Sequence, residues 1–127
     1  MKKVILNYAH AVGMHHYGSR QLPIEVVYKL KHEPNNPHDP NAIAIVDHES
    51  GRKVAYLSRR FAAYVSRIFL SGLLVGSIFL KAKFPAEVRK RHVGPEQKVA
   101  LAFRCDEEQI EEIKKLLGGS CLSIQIK

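Results

Sequence analysis

Apolar and polar residues alternate along much of this chain in short runs, which is the signature of strands with one buried face. Lys3–Val12 places Val4, Leu6, Tyr8 and His10 on one side, with Ile5 and Ala9 among the others. Residues 24–32, "IEVVYKLKH", alternate more clearly, with Ile24, Val26, Tyr28 and Leu30 on the predicted core face. "AIAIVD" (42–47) and "RKVAYL" (52–57) flank the turn "HESG" and predict a hairpin. The period then changes. Ser58 is a suitable N-cap for "RRFAAYVSRIFLS", which ends at Gly72, and Phe61, Val65, Ile68 and Phe69 form its apolar stripe. Arg60, Tyr64 and Arg67 share a neighbouring face of that helix.

Strand patterning returns over 73–84 and 98–104. A short helix follows in "DEEQIEEIKKLLGG", with acids first and lysines last as the helix dipole favours, and Ile110, Ile113 and Leu117 turned inward. "SCLSIQIK" is a closing strand. About seven short, mostly sequential strands with two inserted helices predict a mainly β fold, a small OB-like antiparallel β-barrel. A chain of 127 residues reads as a single domain over 1–127, large enough to bury its own core.

Composition narrows the function. The most apolar window, "IFLSGLLVGSIFL", is thirteen residues long and broken by two glycines, too short for a membrane span. "MKKVILNYAHAVG" lacks the continuous apolar stretch of a signal peptide. Cys105 and Cys121 have no CxxC partner, which fits a reducing compartment: cytoplasm or nucleoid in a bacterium, nucleus in a eukaryote. Net charge is +8, unevenly spread, because five of the twelve acids fall within 106–112. Residues 1–105 carry 17 Lys and Arg against 7 acids, a balance that attracts polyanions, nucleic acid foremost. GxxxxGK[ST] and GxGxxG are absent, and no serine or cysteine nucleophile has supporting spacing, so an enzyme is not expected.

One loop is unusual. "HEPNNPHDPN" (32–41) holds three prolines, each fixing its own φ and extending the residue before it. Asn35, Asn36 and Asn41 can close the turn by bonding to local backbone. Such a loop loses little further entropy on ligand binding, and it displays His38 and Asp39, which a plain turn does not require. A second basic stretch, "KAKFPAEVRKRH", carries Lys81, Lys83, Arg89, Lys90 and Arg91 against Glu87 alone and could track a nucleic acid backbone. Seven histidines raise the question of a metal, for which His15, His16, His38 and Asp39 would have to converge. Adjacent histidines on an extended segment point to opposite sides, and no HxH or HExxH occurs, so no metal or cofactor is expected.

Three blocks together, "VGMHHYG" (12–18), "HEPNNPHDPNAIAI" (32–45) and "GRKVAYLSRRFAAYVSRIF" (51–69), resemble the HIRAN domain. That module occurs in Swi/Snf-type fork-remodelling ATPases and as stand-alone bacterial proteins. The resemblance is strongest over residues 3–84. It implies an OB-like barrel that binds single-stranded DNA, with a pocket for a free 3′ end in the remodeller branch. Carried over by position, the pocket would comprise His15, His16, Tyr17, His38, Asp39, Tyr56 and Arg59, with Phe84 as a wall. Arg59, Arg60 and Arg67 would hold phosphates, and Lys83 would extend the track. The chain departs from the remodeller pattern at His15, which replaces arginine, and at His16 and His38, which replace tyrosine.

The expected function is therefore a single-stranded DNA-binding module, recognising free 3′-OH ends, in repair or replication beside a partner helicase or nuclease. The rival reading is a protein-interaction or RNA-binding regulatory domain.

Overall fold

The computed structural model describes residues 1–88 and 94–127. Seven strands and two helices follow in order: β1 (Lys2–Val12), β2 (Val27–His32), β3 (Ile43–Asp47), β4 (Lys53–Leu57), α1 (Arg59–Ser71), β5 (Val75–Ala82), β6 (Glu96–Cys105), α2 (Ile110–Leu116) and β7 (Ser123–Ile126). The sheet runs β4-β3-β2-β5-β6-β1-β7, and a further β4–β1 pairing closes six strands into a barrel. Every strand pairing is antiparallel. The mainly β, OB-like antiparallel barrel expected from the patterning is the observed fold.

β1 is the keystone. One edge lies along β6, while the other is shared between β7 at Val4–Asn7 and β4 at Ala11–Val12. Between Leu6 and Ala9 it carries one residue more than β6, a β-bulge. Tyr8 sits in it at φ 73°, a left-handed conformation rare for a bulky side chain. The bulge shifts the alternation. Val4 and Leu6 face the core, then Ala9 and Ala11 do, while Tyr8 is exposed and His10 half-buried. Tyr8 and His10 therefore leave the face on which simple alternation put them.

β2 is shorter than expected for a similar reason. Glu25 has φ 65°, so the extended run over 24–32 breaks there. Tyr28 and Leu30 enter the core as predicted, whereas Ile24 and Val26 are exposed. α1 begins after Ser58 and stops at Gly72, which takes the left-handed φ of 75° that glycine adopts without a Cβ penalty. Phe61, Val65 and Ile68 pack into the core, and half-buried Phe69 stacks on the His32 ring. The acidic segment starts as a 3₁₀ turn (Glu107–Gln109) before α2, whose Ile113 joins the core together with Leu117 just beyond the helix.

Gln97 lies in β6 and is completely buried. Its amide accepts from the Leu22 N–H at 2.7 Å and donates to the carbonyls of Leu22 and Phe84, each at 2.9 Å. Two connecting segments are thereby fastened to one barrel strand. Arg89, Lys90 and Arg91 of the basic stretch lie outside the described residues. Among the described residues, no helix is long and apolar enough to cross a membrane.

Candidate nucleic-acid interface

The proline loop links β2 to β3 and is braced from within. Its base closes through the Glu33 N–H to the Ala42 carbonyl at 2.8 Å. Asn36 Oδ1 accepts from the N–H groups of His38 (2.9 Å) and Asp39 (3.2 Å), and its amide donates to Glu33 Oε1 at 3.0 Å. Asp39 Oδ1 accepts from the Asn41 N–H at 2.9 Å. These are the local bonds that asparagine and aspartate supply in turns.

α1 pins the loop from outside. Arg59 donates to the His38 carbonyl at 3.1 Å and brings Nε to 3.5 Å from Asp39 Oδ2. The Ser66 hydroxyl donates to Asn41 Oδ1 at 3.3 Å. The His32 ring bonds the Pro40 carbonyl at 3.0 Å. Asp39 is consequently held in place with its side chain only 18% exposed, while Arg59 stands 75% exposed at the rim.

Tyr56 of β4 forms the adjoining wall. Its hydroxyl donates to Glu33 Oε1 at 2.8 Å, and Lys53 Nζ lies 2.6 Å from Glu33 Oε2 and 3.1 Å from the Tyr56 oxygen. Burial pushes the Glu33 carboxyl up, but hydrogen bonds from Lys53, Tyr56 and Asn36 and the Lys53 charge more than reverse it, leaving the pKa below the ordinary carboxylate value. The Glu33 bond, reinforced by the Tyr56 hydroxyl, raises the Lys53 pKa. Burial is the main cause of the raised Tyr56 pKa, so the phenol stays protonated and can donate.

The segment 14–17 is a 3₁₀ turn between Gly13 and Gly18, both at left-handed φ (77° and 82°). It carries Met14 into the core and leaves His15, His16 and Tyr17 exposed. The Tyr17 ring comes to 6.4 Å from the Tyr56 ring, tilted by 36°. The two imidazoles do not diverge as they would on an extended strand. The tight turn brings their centroids to 4.0 Å. A Cβ at Gly94 would collide with the His15 ring, so that ring rests directly on the backbone ahead of β6. Among the described residues, no group of three metal-ligating side chains forms.

The structure thus gathers Tyr17 with Tyr56, His15 with His16, and His38 and Asp39 with Arg59, joined through Glu33 at the loop base. Glu33, Lys53 and Asn36 are supporting residues outside the candidate set. Only Asn36, as a local turn-closing group, had a readable signal. The remaining candidates make contacts of their own. Phe84 lines a cavity of about 220 Å³ with His10, Pro85, Glu96 and Lys98, and the Lys98 ammonium stands 5.9 Å from its ring. Arg60 covers the Phe61 ring. Arg67 lies over Tyr64 and donates to the Leu116 carbonyl at 3.3 Å. Lys83 pairs with Glu25 at 3.1 Å.

The family model of the HIRAN domain matches residues 6–83, more than half of the chain and the whole of the gathered cluster. The chain belongs to the HIRAN domain family. The HIRAN domain is a DNA-binding domain family, a binding module rather than a catalyst. The fold extends the likeness past residue 83. The crystal structure of the HIRAN domain of human HLTF superposes with a TM-score of 0.73 at 21% identity, covering 98% of this chain and 96% of that one. Its NMR structure gives 0.68 at 22% identity, covering 94% and 89%. A Lactobacillus plantarum protein of known structure gives 0.57 at 15% identity, covering 82% of this chain and 100% of that one. No curated protein matches the chain by sequence.

Proposed function

We propose that this HIRAN domain binds single-stranded DNA and captures its free 3′-hydroxyl end, serving a helicase or nuclease in repair or replication. The observation that carries this reading is the setting of Asp39. One carboxylate oxygen is tied to its own loop and the other faces the rim beside Arg59, at the edge of a cluster with two tyrosine rings. A carboxylate accepts a bond from a terminal hydroxyl and repels a terminal phosphate. The guanidinium and the basic body attract the phosphates behind the terminus. Tyr17, His16 and His38 offer ring faces for the last bases, each stack worth roughly 1–3 kcal/mol.

The test uses short oligonucleotides ending in 3′-hydroxyl or 3′-phosphate, titrated against wild type and Asp39→Asn by fluorescence anisotropy. Asparagine keeps an acceptor for the Asn41 N–H and removes the charge. Wild type is expected to prefer the hydroxyl by about tenfold, and the variant to lose most of that preference. Equal affinity in all four combinations would remove end capture. Strand binding itself would remain visible as a loss of affinity with log salt, at a slope of about 0.7 per phosphate contacted. An RNA strand of the same sequence tests the rival reading.

A further inference from the structure

The outer face of β1, β6, β5 and β2 carries a second concavity, separate from the Asp39 cluster. It draws on Lys3, Ile5 and Asn7, the part of β1 before the bulge, whereas the Asp39 cluster borders the part after it. Its volume is about 830 Å³. The cause lies in residue sizes. The outward residues of central β6 include Ala100 and Ala102, while their cross-strand neighbours Ile5, Phe79 and Lys81 are long. Small side chains between large ones make a trough.

Among the described residues, the charged side chains lining it are all basic, with Glu25 beside two of them. Lys3 and Arg104 stand directly opposite each other across β1 and β6. A like-charged cross-strand pair destabilises a sheet, and an anion placed between the two relieves it. On the other rim, Lys81 and Lys83 share Glu25, at 3.8 and 3.1 Å. A ligand carboxylate would repeat an interaction that this rim already makes.

The floor decides between anionic ligands. Single-stranded nucleic acid needs ring faces to stack its bases. This floor offers aliphatic groups, a Phe103 ring that is buried, and Phe79, whose ring meets His48 in a T-shaped contact at 5.7 Å. Alanine and valine methyls instead suit the apolar side chains of a polypeptide. We propose that the trough docks an acidic amphipathic segment of a partner protein. Its apolar residues would lie on the alanine floor, and its Asp or Glu side chains on the Lys3–Arg104 and Lys81–Lys83 rims.

The probe is a fluorescein-labelled synthetic peptide of about 16 residues with Leu at i, i+3, i+4 and i+7 and Asp or Glu between them. A control peptide replaces each Leu with Ser, and a 3′-hydroxyl oligonucleotide reports the other surface. Ala102→Glu places a carboxylate on the floor; Arg104→Glu reverses one rim. Each variant is expected to weaken the peptide about tenfold and leave the oligonucleotide unchanged, and the Ser peptide should fail to saturate. The proposal is overturned if both variants bind the peptide like wild type, or if the Ser peptide binds equally well. It is also overturned if the variants lose the oligonucleotide and keep the peptide, which would give the trough to nucleic acid. Should Ala102→Glu not fold, Arg104→Glu, an exposed position at a strand end, still decides.

Discussion

Glu33 receives hydrogen bonds from Asn36, Tyr56 and Lys53, with its side chain only 15% exposed. It thereby couples the loop that holds Asp39 to the strand that holds Tyr56. Its folded-state pKa is lowered, so its contribution to stability is full above the unfolded value of about 4.3 and fades as pH falls through the folded value. Lys53 is shifted the other way, and its contribution is full below about 10.4 and fades at higher pH. Glu33→Gln should therefore cost about 1–2 kcal/mol at neutral pH, and thermal melts of variant and wild type should converge toward pH 3. A gap that stays constant between pH 7 and pH 3 would contradict the linkage. The sequence did not advertise this residue. A glutamate before a proline in a basic chain reads as a solvated charge, and only barrel closure brings Lys53 and Tyr56 to it.

At the scale of the element, the proline loop was the most readable feature, because its rigidity is written in local residues. Asn36 and Asp39 accept from backbone N–H groups two or three positions on, as their residue types favour, whereas the Asn41 side chain, expected to bond locally, accepts from Ser66 of α1 instead. Asn36→Ala removes the acceptor shared by the His38 and Asp39 amides. It should lower stability by about 1–2 kcal/mol and reduce discrimination between 3′-hydroxyl and 3′-phosphate ends. Discrimination kept at the wild-type level would mean that α1 alone positions Asp39. The bounds of α1 were legible too: Gly72 ends it at left-handed φ, and Ser58 precedes it, though the Ser58 side chain makes no capping hydrogen bond. Strand phases were not. Alternation suggests that Ile24 and Val26 continue the core face of Tyr28 and Leu30, yet the turn in φ at Glu25 detaches them. No residue type marks such a break, since glutamate rarely adopts that conformation.

For the whole molecule, strand count and barrel class could be read from patterning, while the fastening of its connections could not. Gln97 satisfies three backbone groups from two segments in a completely buried position. Gln97→Leu is close to isosteric but leaves those groups without partners. It should cost about 2–4 kcal/mol in chemical denaturation and loosen the segment around Phe84. A loss below about 1 kcal/mol would mean that water replaces the amide there. The candidate site divides along the same line. The resemblance brought Tyr17, Asp39 and Tyr56 into one set, while Glu33 and Lys53, which tie the loop to β4, were visible only in the fold.

The surplus residue at Tyr8 works as a crank in β1. Upstream of it, odd-numbered side chains such as Lys3 and Ile5 turn toward the trough. Downstream, the even-numbered His10 and Val12 turn outward instead. Removing Tyr8 would straighten the strand and rotate one half relative to the other, so that a single codon lost could not spare both surfaces. The trough and the surface beside β4 thus lie along one continuous strand and are geared to each other by one amino acid.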